Sequence, residues 1–248
     1  MKYVTETIRY IGCDDADIRL FESQYNVPEG MCYNSYVILD KKIAIMDTSD
    51  KRTMDEWKKN QAEALGDRTP DYLIVHHLEP DHASGIGDVL AMYPDIKVVC
   101  SAKAKTMIPL FFPDSDLADR VIAVKEGDTL ELGEHTLTFV MAPMVHWPEV
   151  MVAYESKDKV LFSADGFGKF GVMDADADDW ACEARRYYFN ICGKYGIPVS
   201  TLLKKAAKLD IEQILPLHGP ILNGEKMAEA LRLYGIWSSY GVESEGVF

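Results

Sequence analysis

No run of apolar residues in the chain approaches the roughly 18 needed to span a bilayer, so no membrane helix is expected. The opening MKYVTETIRYIGCDD has no apolar stretch of the length a secretory leader requires, which points to a cytoplasmic protein. Basic residues are scarce beside acidic ones, 26 against 40, and a net charge of −14 argues against sequence-independent attraction to nucleic acid or to an anionic membrane. There are five cysteines, Cys13, Cys32, Cys100, Cys182 and Cys192, an odd number with no C-x-x-C pair. That pattern reads as buried thiols in a reduced chain rather than a disulfide framework. Low-complexity linkers and short internal repeats are also missing. Glycine is present in GDVLAMYP and DGFGKFG, but neither has the strand–loop–helix context of a phosphate cradle, so no nucleotide site is expected.

Apolar residues make up 48% of the 248, enough for one sizeable core. Residues 35–40 and 42–47 read as a hairpin, 53–65 as a helix, 71–77 as a buried strand, 84–94 as a Ser-capped helix and 96–101 as a strand, followed by a short helix in AKTMIPLFF. The second half repeats the style. Strands are predicted at 120–125, 129–143, 149–156 and 159–165, helices at 176–196 and 199–210, a strand at 211–219, and a closing helix over roughly 224–238. Two blocks of strands, each followed by helices, predict an α/β fold in which two sheets are sandwiched between helix layers, as one domain over 1–248.

The chemistry concentrates in VHHLEPDHASG, residues 75–85. His77 and Glu79 stand two apart at a strand end and share a face. Pro80 stops the strand and sends Asp81 and His82 into a loop that can aim both at the same pocket. Four ligand-type side chains in six residues suit two ions, one on each pair. His76 should face the other way, as a packed or supporting histidine. His135, in LGEHTL, reads as an exposed turn residue. His146, Asp165 and His218 each follow an apolar run, and an unpaired carboxylate at Asp165 would be costly there unless it bridged cations. The seven candidates comprise four imidazoles, three carboxylates and no thiolate. Imidazole suits zinc or iron, and the carboxylates shift the balance towards harder, redox-active ions. The alternating aspartates of 174–179 lack the glycine and distal glutamate of a calcium loop. The run RRYYFN is read as core plus surface, with Tyr187 or Tyr188 as possible parts of a pocket wall.

H-x-E-x-D-H at 77–82, followed in order by APMVHWPE, LFSADGFG and HGP, resembles the metallo-β-lactamase-like diiron domain of flavodiiron proteins, as does the opening YNSYVILDKKIAIMDT. The resemblance implies an αββα four-layer sandwich with two non-haem irons. It places His77, Glu79 and His146 on one iron, Asp81, His82 and His218 on the other, and Asp165 between them, with no catalytic group beyond these ligands. Family members reduce dioxygen to water, nitric oxide to nitrous oxide, or both. They continue into a flavodoxin-like domain that carries FMN; this sequence stops at Phe248, so a stand-alone form that binds no FMN is expected. Some members carry a histidine shortly after the bridging aspartate, where this chain reads Lys169-Phe170.

Three functions compete. A reductase would take electrons from a separate rubredoxin-, flavodoxin- or flavin-reductase-like donor. A sensor would bind oxygen without fast turnover and signal to a partner. A dinuclear zinc hydrolase is disfavoured by Glu79, where hydrolytic relatives carry histidine. The reductase is the leading expectation, and the family habit implies a homo-oligomer.

Overall fold

Strands Tyr36–Leu39, Ile43–Met46, Tyr72–Val75 and Lys97–Ser101 are almost wholly apolar because both of their faces are covered. Successive residues turn to opposite sides. Ile43, Ile45, Leu73, Val75, Val98 and Cys100 pack under helices, while Ala44, Met46, Ile74 and Val99 face a second sheet. That second sheet alternates in the same way. Met151, Ala153, Val160 and Phe162 meet the first sheet, and Val152, Tyr154 and Leu161 meet helices on the far side. Three apolar layers between four structural layers give the αββα sandwich predicted from the sequence. The computed structural model describes residues 2–113, 117–175 and 179–245.

The first sheet has seven strands, in the order Lys2–Tyr3, Ile8–Tyr10, Tyr36–Leu39, Ile43–Met46, Tyr72–Val75, Lys97–Ser101, Val121–Val124. Its early pairings are antiparallel, and from Ile43–Met46 onward the strands run parallel. The second has six, in the order Thr129–Glu131, Thr136–Met141, Met151–Glu155, Val160–Phe162, Gln213–Leu215, Leu222–Asn223. Met54–Leu65 covers the first sheet by burying Met54, Trp57, Gln61 and Leu65, one stripe at helical spacing. Trp180–Ile191, Gly196–Ala206 and Gly224–Ser238 cover the second. No helix among the described residues is long and apolar enough to cross a membrane.

Several boundaries differ from the sequence reading. The helix expected over 176–196 spans Trp180–Ile191, and a 3-10 turn at Gly193–Tyr195 separates it from Gly196–Ala206. Pro198 is tolerated in the second helix because it falls in the first turn. The helix expected to open at Ser84 spans Ile86–Met92, since the Ser84 hydroxyl bonds back to the Pro80 carbonyl instead of capping. Of the acidic run 174–179, residues 176–178 lie outside the described ones. The strands between Lys2 and Tyr33 are two or three residues long, too short for a period to show in sequence.

Candidate metal centre

Thr136–Met141, Val160–Phe162 and Gln213–Leu215 run in one direction, and His146, Asp165 and His218 lie just beyond their C-terminal ends. Tyr72–Val75 of the other sheet delivers the 76–82 segment to the same place. His77 turns towards the cluster and His76 away from it, as alternation requires. The Asp47 carboxylate accepts the His76 backbone N–H at 2.8 Å and meets its Nδ1 at 2.5 Å. Thr48 then fixes the far end of the segment. Its N–H and hydroxyl donate to the His82 carbonyl at 2.9 and 2.6 Å. Asp47 adopts φ 56°, a strained conformation for a non-glycine residue, held by these bonds. Asp81 and His82 are not in a loop. Pro80–Ala83 is a single helical turn with proline at its first position, where the missing N–H costs nothing.

The seven predicted side chains meet in two buried groups. His77, Glu79, His146 and Asp165 form one, and Asp81, His82 and His218 the other. In the first, His77 Nε2 is 3.1 Å from Glu79 Oε2, 3.3 Å from His146 Nε2 and 3.3 Å from Asp165 Oδ2. His146 Nε2 is 3.0 Å from Glu79 and 3.2 Å from Asp165. In the second, His82 Nε2 and His218 Nε2 are 3.1 Å apart, and each is 3.2 Å from Asp81 Oδ2. Asp165 reaches across with Oδ1, 3.7 Å from His218 Nε2. Ligand atoms about 2.1 Å from one ion and roughly 90–110° apart lie roughly 3.0–3.4 Å from each other, so the spacing is that of donors around a common point. All four oxygens of Asp81 and Asp165 are buried without a hydrogen-bond partner, a costly arrangement that a shared cation relieves. The donor set and its orphaned oxygens therefore fit two metal ions.

The electrostatics agree. Burial opposes ionisation of every group here, yet carboxylates and imidazoles hold each other charged. Against its burial, Asp165 and the bonds to Glu149 and Glu79 lift His77 well above the usual imidazole range. His82 is raised by Asp81, also against burial, and His146 is pushed up to about 9 by Asp165 and Glu79. Despite burial, Asp81 is held well below the ordinary carboxylate range by His82 and His218, and Asp165 is lowered by His77 and His146. The pocket thus attracts positive charge, whether protons or metal ions.

Sequence reasoning missed what orients these rings. His77 Nδ1 donates to Glu149 Oε1 at 2.8 Å, and the Leu78 N–H donates to the same oxygen at 2.9 Å. His218 Nδ1 donates to the Cys32 carbonyl at 2.7 Å. Both bonds leave Nε2 as the inward nitrogen, the arrangement that fixes a metal-binding imidazole. The one available signal for Glu149 was a lone carboxylate opening the apolar strand EVMVAYES. Glu149→Gln should weaken metal binding by about 10–100-fold, read by competition with a chelator, because the amide is a poorer acceptor for the imidazole N–H. Gly219, with φ 84°, makes the turn after His218, and a Cβ there would fall 2.7 Å from Lys169 Cγ. Aromatic rings wall the pocket. Phe21, Tyr33 and Tyr187 lie 5.4, 6.0 and 5.6 Å from the His218 ring, and Phe170 packs on Phe21 and Tyr187. On the other side Trp147 stands edge-on to His77 at 5.0 Å.

Comparison with known proteins gives the family and the fold. Residues 31–219 match the model of the family described as ODP family beta lactamase. The anaerobic nitric oxide reductase flavorubredoxin of Salmonella typhi is 30% identical over 95% of this chain, which covers 51% of that protein. The flavodiiron protein of Giardia intestinalis superposes with a TM-score of 0.90 at 27% identity, covering 96% of this chain and 59% of its own. The rubredoxin oxygen:oxidoreductase of Desulfovibrio gigas gives 0.90 at 28% identity, covering 96% and 61%. The chain spans between about half and three-fifths of the length of these three proteins. It belongs to the ODP family of β-lactamase-like proteins and is a metallo-β-lactamase-like domain of the flavodiiron type.

Proposed function

We propose that residues 1–248 act as one metal-binding domain that holds two iron ions and reduces dioxygen to water, nitric oxide to nitrous oxide, or both. His77, Glu79 and His146 would hold one ion, Asp81, His82 and His218 the other, with Asp165 placed to serve both. The observation that carries this reading is the pair of adjoining buried donor groups spanned by the two oxygens of Asp165. Three carboxylates without a thiolate favour iron over zinc, and the names of the flavorubredoxin and the oxygen:oxidoreductase support the substrates. Two iron ions bound there would supply electrons and neighbouring positions for a diatomic ligand.

The chain's own residues do the rest. The ring wall of Phe21, Tyr33, Phe170 and Tyr187 excludes bulk water from the His218 side. In the metal-free site, desolvation and the neighbouring Glu79 carboxylate raise the Glu22 carboxyl to about 8. It lines a cavity of about 180 Å³ together with Phe21, Tyr33, Glu79 and Asp81, within reach of the proposed ion-binding groups. Electrons come from a rubredoxin-, flavodoxin- or flavin-reductase-like donor outside residues 1–248. A reduced cytoplasmic setting is supported by five free cysteines, and assembly into a homo-oligomer belongs to the same reading.

A second reading, oxygen binding without turnover, is favoured by one feature. Buried Phe170 brings no proton donor to the aromatic wall. Anaerobic loading with two ferrous ions, mixing with dioxygen and following the visible spectrum separates the two. A transient that gives way to a plain ferric spectrum, with turnover restored by a donor, is the expected result. A band lasting minutes would support oxygen binding and sensing. Protein that takes up only zinc and hydrolyses esters would sink both.

A further inference from the structure

At the opposite ends of strands Thr136–Met141 and Met151–Glu155 from the metal centre lies a second knot of ligand-type side chains. His135 is not the exposed turn residue the sequence suggests; it is fully buried, as is Glu155. The connection from Thr129–Glu131 to Thr136–Met141, closed by the Leu132 N–H donating to the His135 carbonyl, folds His135 inward, where the Asp40 carboxylate holds its N–H at 2.7 Å. We propose that His135, Glu155 and Asp158 form a mononuclear site for a divalent cation of the zinc class.

Donor atoms of the three residues all lie within 4.8 Å of one another. His135 Nδ1 is 3.0 Å from Glu155 Oε1, the same separation found between His146 and Glu79 in the main centre. Yet Nδ1 is buried and without a hydrogen-bond partner, so the ring is not aimed as an N–H donor to that oxygen. Its other nitrogen is occupied, since Nε2 lies 2.8 Å from the Thr7 hydroxyl. If Nε2–H donates to Thr7, Nδ1 presents a lone pair beside a carboxylate, a pairing that a bound cation makes favourable. The Glu155 oxygens accept the Lys157 and Asp158 N–H groups at 2.7 and 2.8 Å, which fixes the carboxylate in place. Thr5 donates to Asp158 Oδ2 at 2.6 Å. Each candidate ligand is thus oriented by an outer hydrogen bond, as metal ligands are. The neighbouring lysines are engaged elsewhere, Lys157 with Glu134 and Lys159 with Asp210 and Glu212. Imidazole and carboxylate are both ligand types that zinc accepts. A cation here would clamp the 5–7 turn of the first sheet to two turns of the second.

The test is equilibrium dialysis of the full chain against micromolar zinc, with elemental analysis of wild type, His135→Gln and Asp158→Asn. Asp158→Asn keeps an oxygen for Thr5 and sits in a half-buried turn, so it preserves the fold. Wild type is expected to retain one more zinc per chain than either variant, and zinc is expected to raise the thermal midpoint of wild type more than that of Asp158→Asn. Equal zinc in wild type and both variants would overturn the proposal, whether the knot is purely hydrogen-bonded or the extra ion sits elsewhere. Because the readout is a difference between variants that leave the main centre intact, it stands whatever metal that centre holds.

Discussion

Asp165→Ala should reduce bound ferrous ion from two per chain to one or none, and weaken what remains by more than about 100-fold. Hydrogen-bond partners that merely orient a metal-binding imidazole are worth about 10–100-fold in affinity, and Asp165 would touch the ions directly. Its carboxylate is fully buried, with Oδ2 facing His77 and His146 and Oδ1 facing His218. Among the described residues no other side chain reaches both groups in this way. Anaerobic loading, gel filtration and iron analysis read the result directly. Two tightly held ions in the variant would mean that Asp165 is not shared between them. Asp165→Asn preserves the shape and separates loss of charge from loss of volume. If charge is what matters, it should fail to bind metal as Ala does while keeping the metal-free fold.

Raising the pH should have opposite effects on the metal-free protein and on its affinity for metal. In the metal-free protein, His77, His82 and His146 are raised because carboxylates stabilise their protonated forms. A group whose folded pKa is raised contributes stability that is complete below its unfolded value and is lost as pH climbs through the folded value. For His146 that window runs from the ordinary 6.5 to about 9, a loss of roughly 3 kcal/mol. The lowered carboxylates Glu79, Asp81 and Asp165 act at the other end, and their contribution disappears as pH falls below the ordinary carboxylate range. Denaturant melts of chelator-treated protein should therefore show less stability at pH 9 than at pH 6. Metal affinity should rise over the same interval, because an ion must displace those imidazole protons. A metal-free protein equally stable at both values would show that the imidazoles are not paired in this way.

Much of the fold was legible because both sheets are covered on both faces. Burial on two sides forces continuous apolar strands, and strands such as KIAIMD and DYLIVHH announce themselves by composition alone. The centre was legible for a related reason. Its donors cannot stand at the ends of apolar strands without partners, so HHLEPDH, LFSAD and LPLHG are conspicuous in a one-dimensional reading. The division into His77 with Glu79 and Asp81 with His82 follows from strand alternation and from Pro80, and the structure groups them accordingly.

What tertiary structure decided are properties that depend on contacts distant in sequence. The bond from His77 to Glu149 joins residues 72 positions apart, and that between Thr7 and His135 joins residues 128 apart. Neither has a local pattern, so Glu149 passed as an ordinary strand residue and His135 as an exposed one. Asp47 gives no sign in sequence of the strained turn that clamps His76, because its conformation is set by the segment it holds rather than by its neighbours. Sequence by itself determined which ligand-type residues stand at the ends of apolar strands, since residue type and periodicity are local. Only the packing of one sheet against the other decided which of those residues face one another and at what distance, because that depends on how two faces of the chain meet.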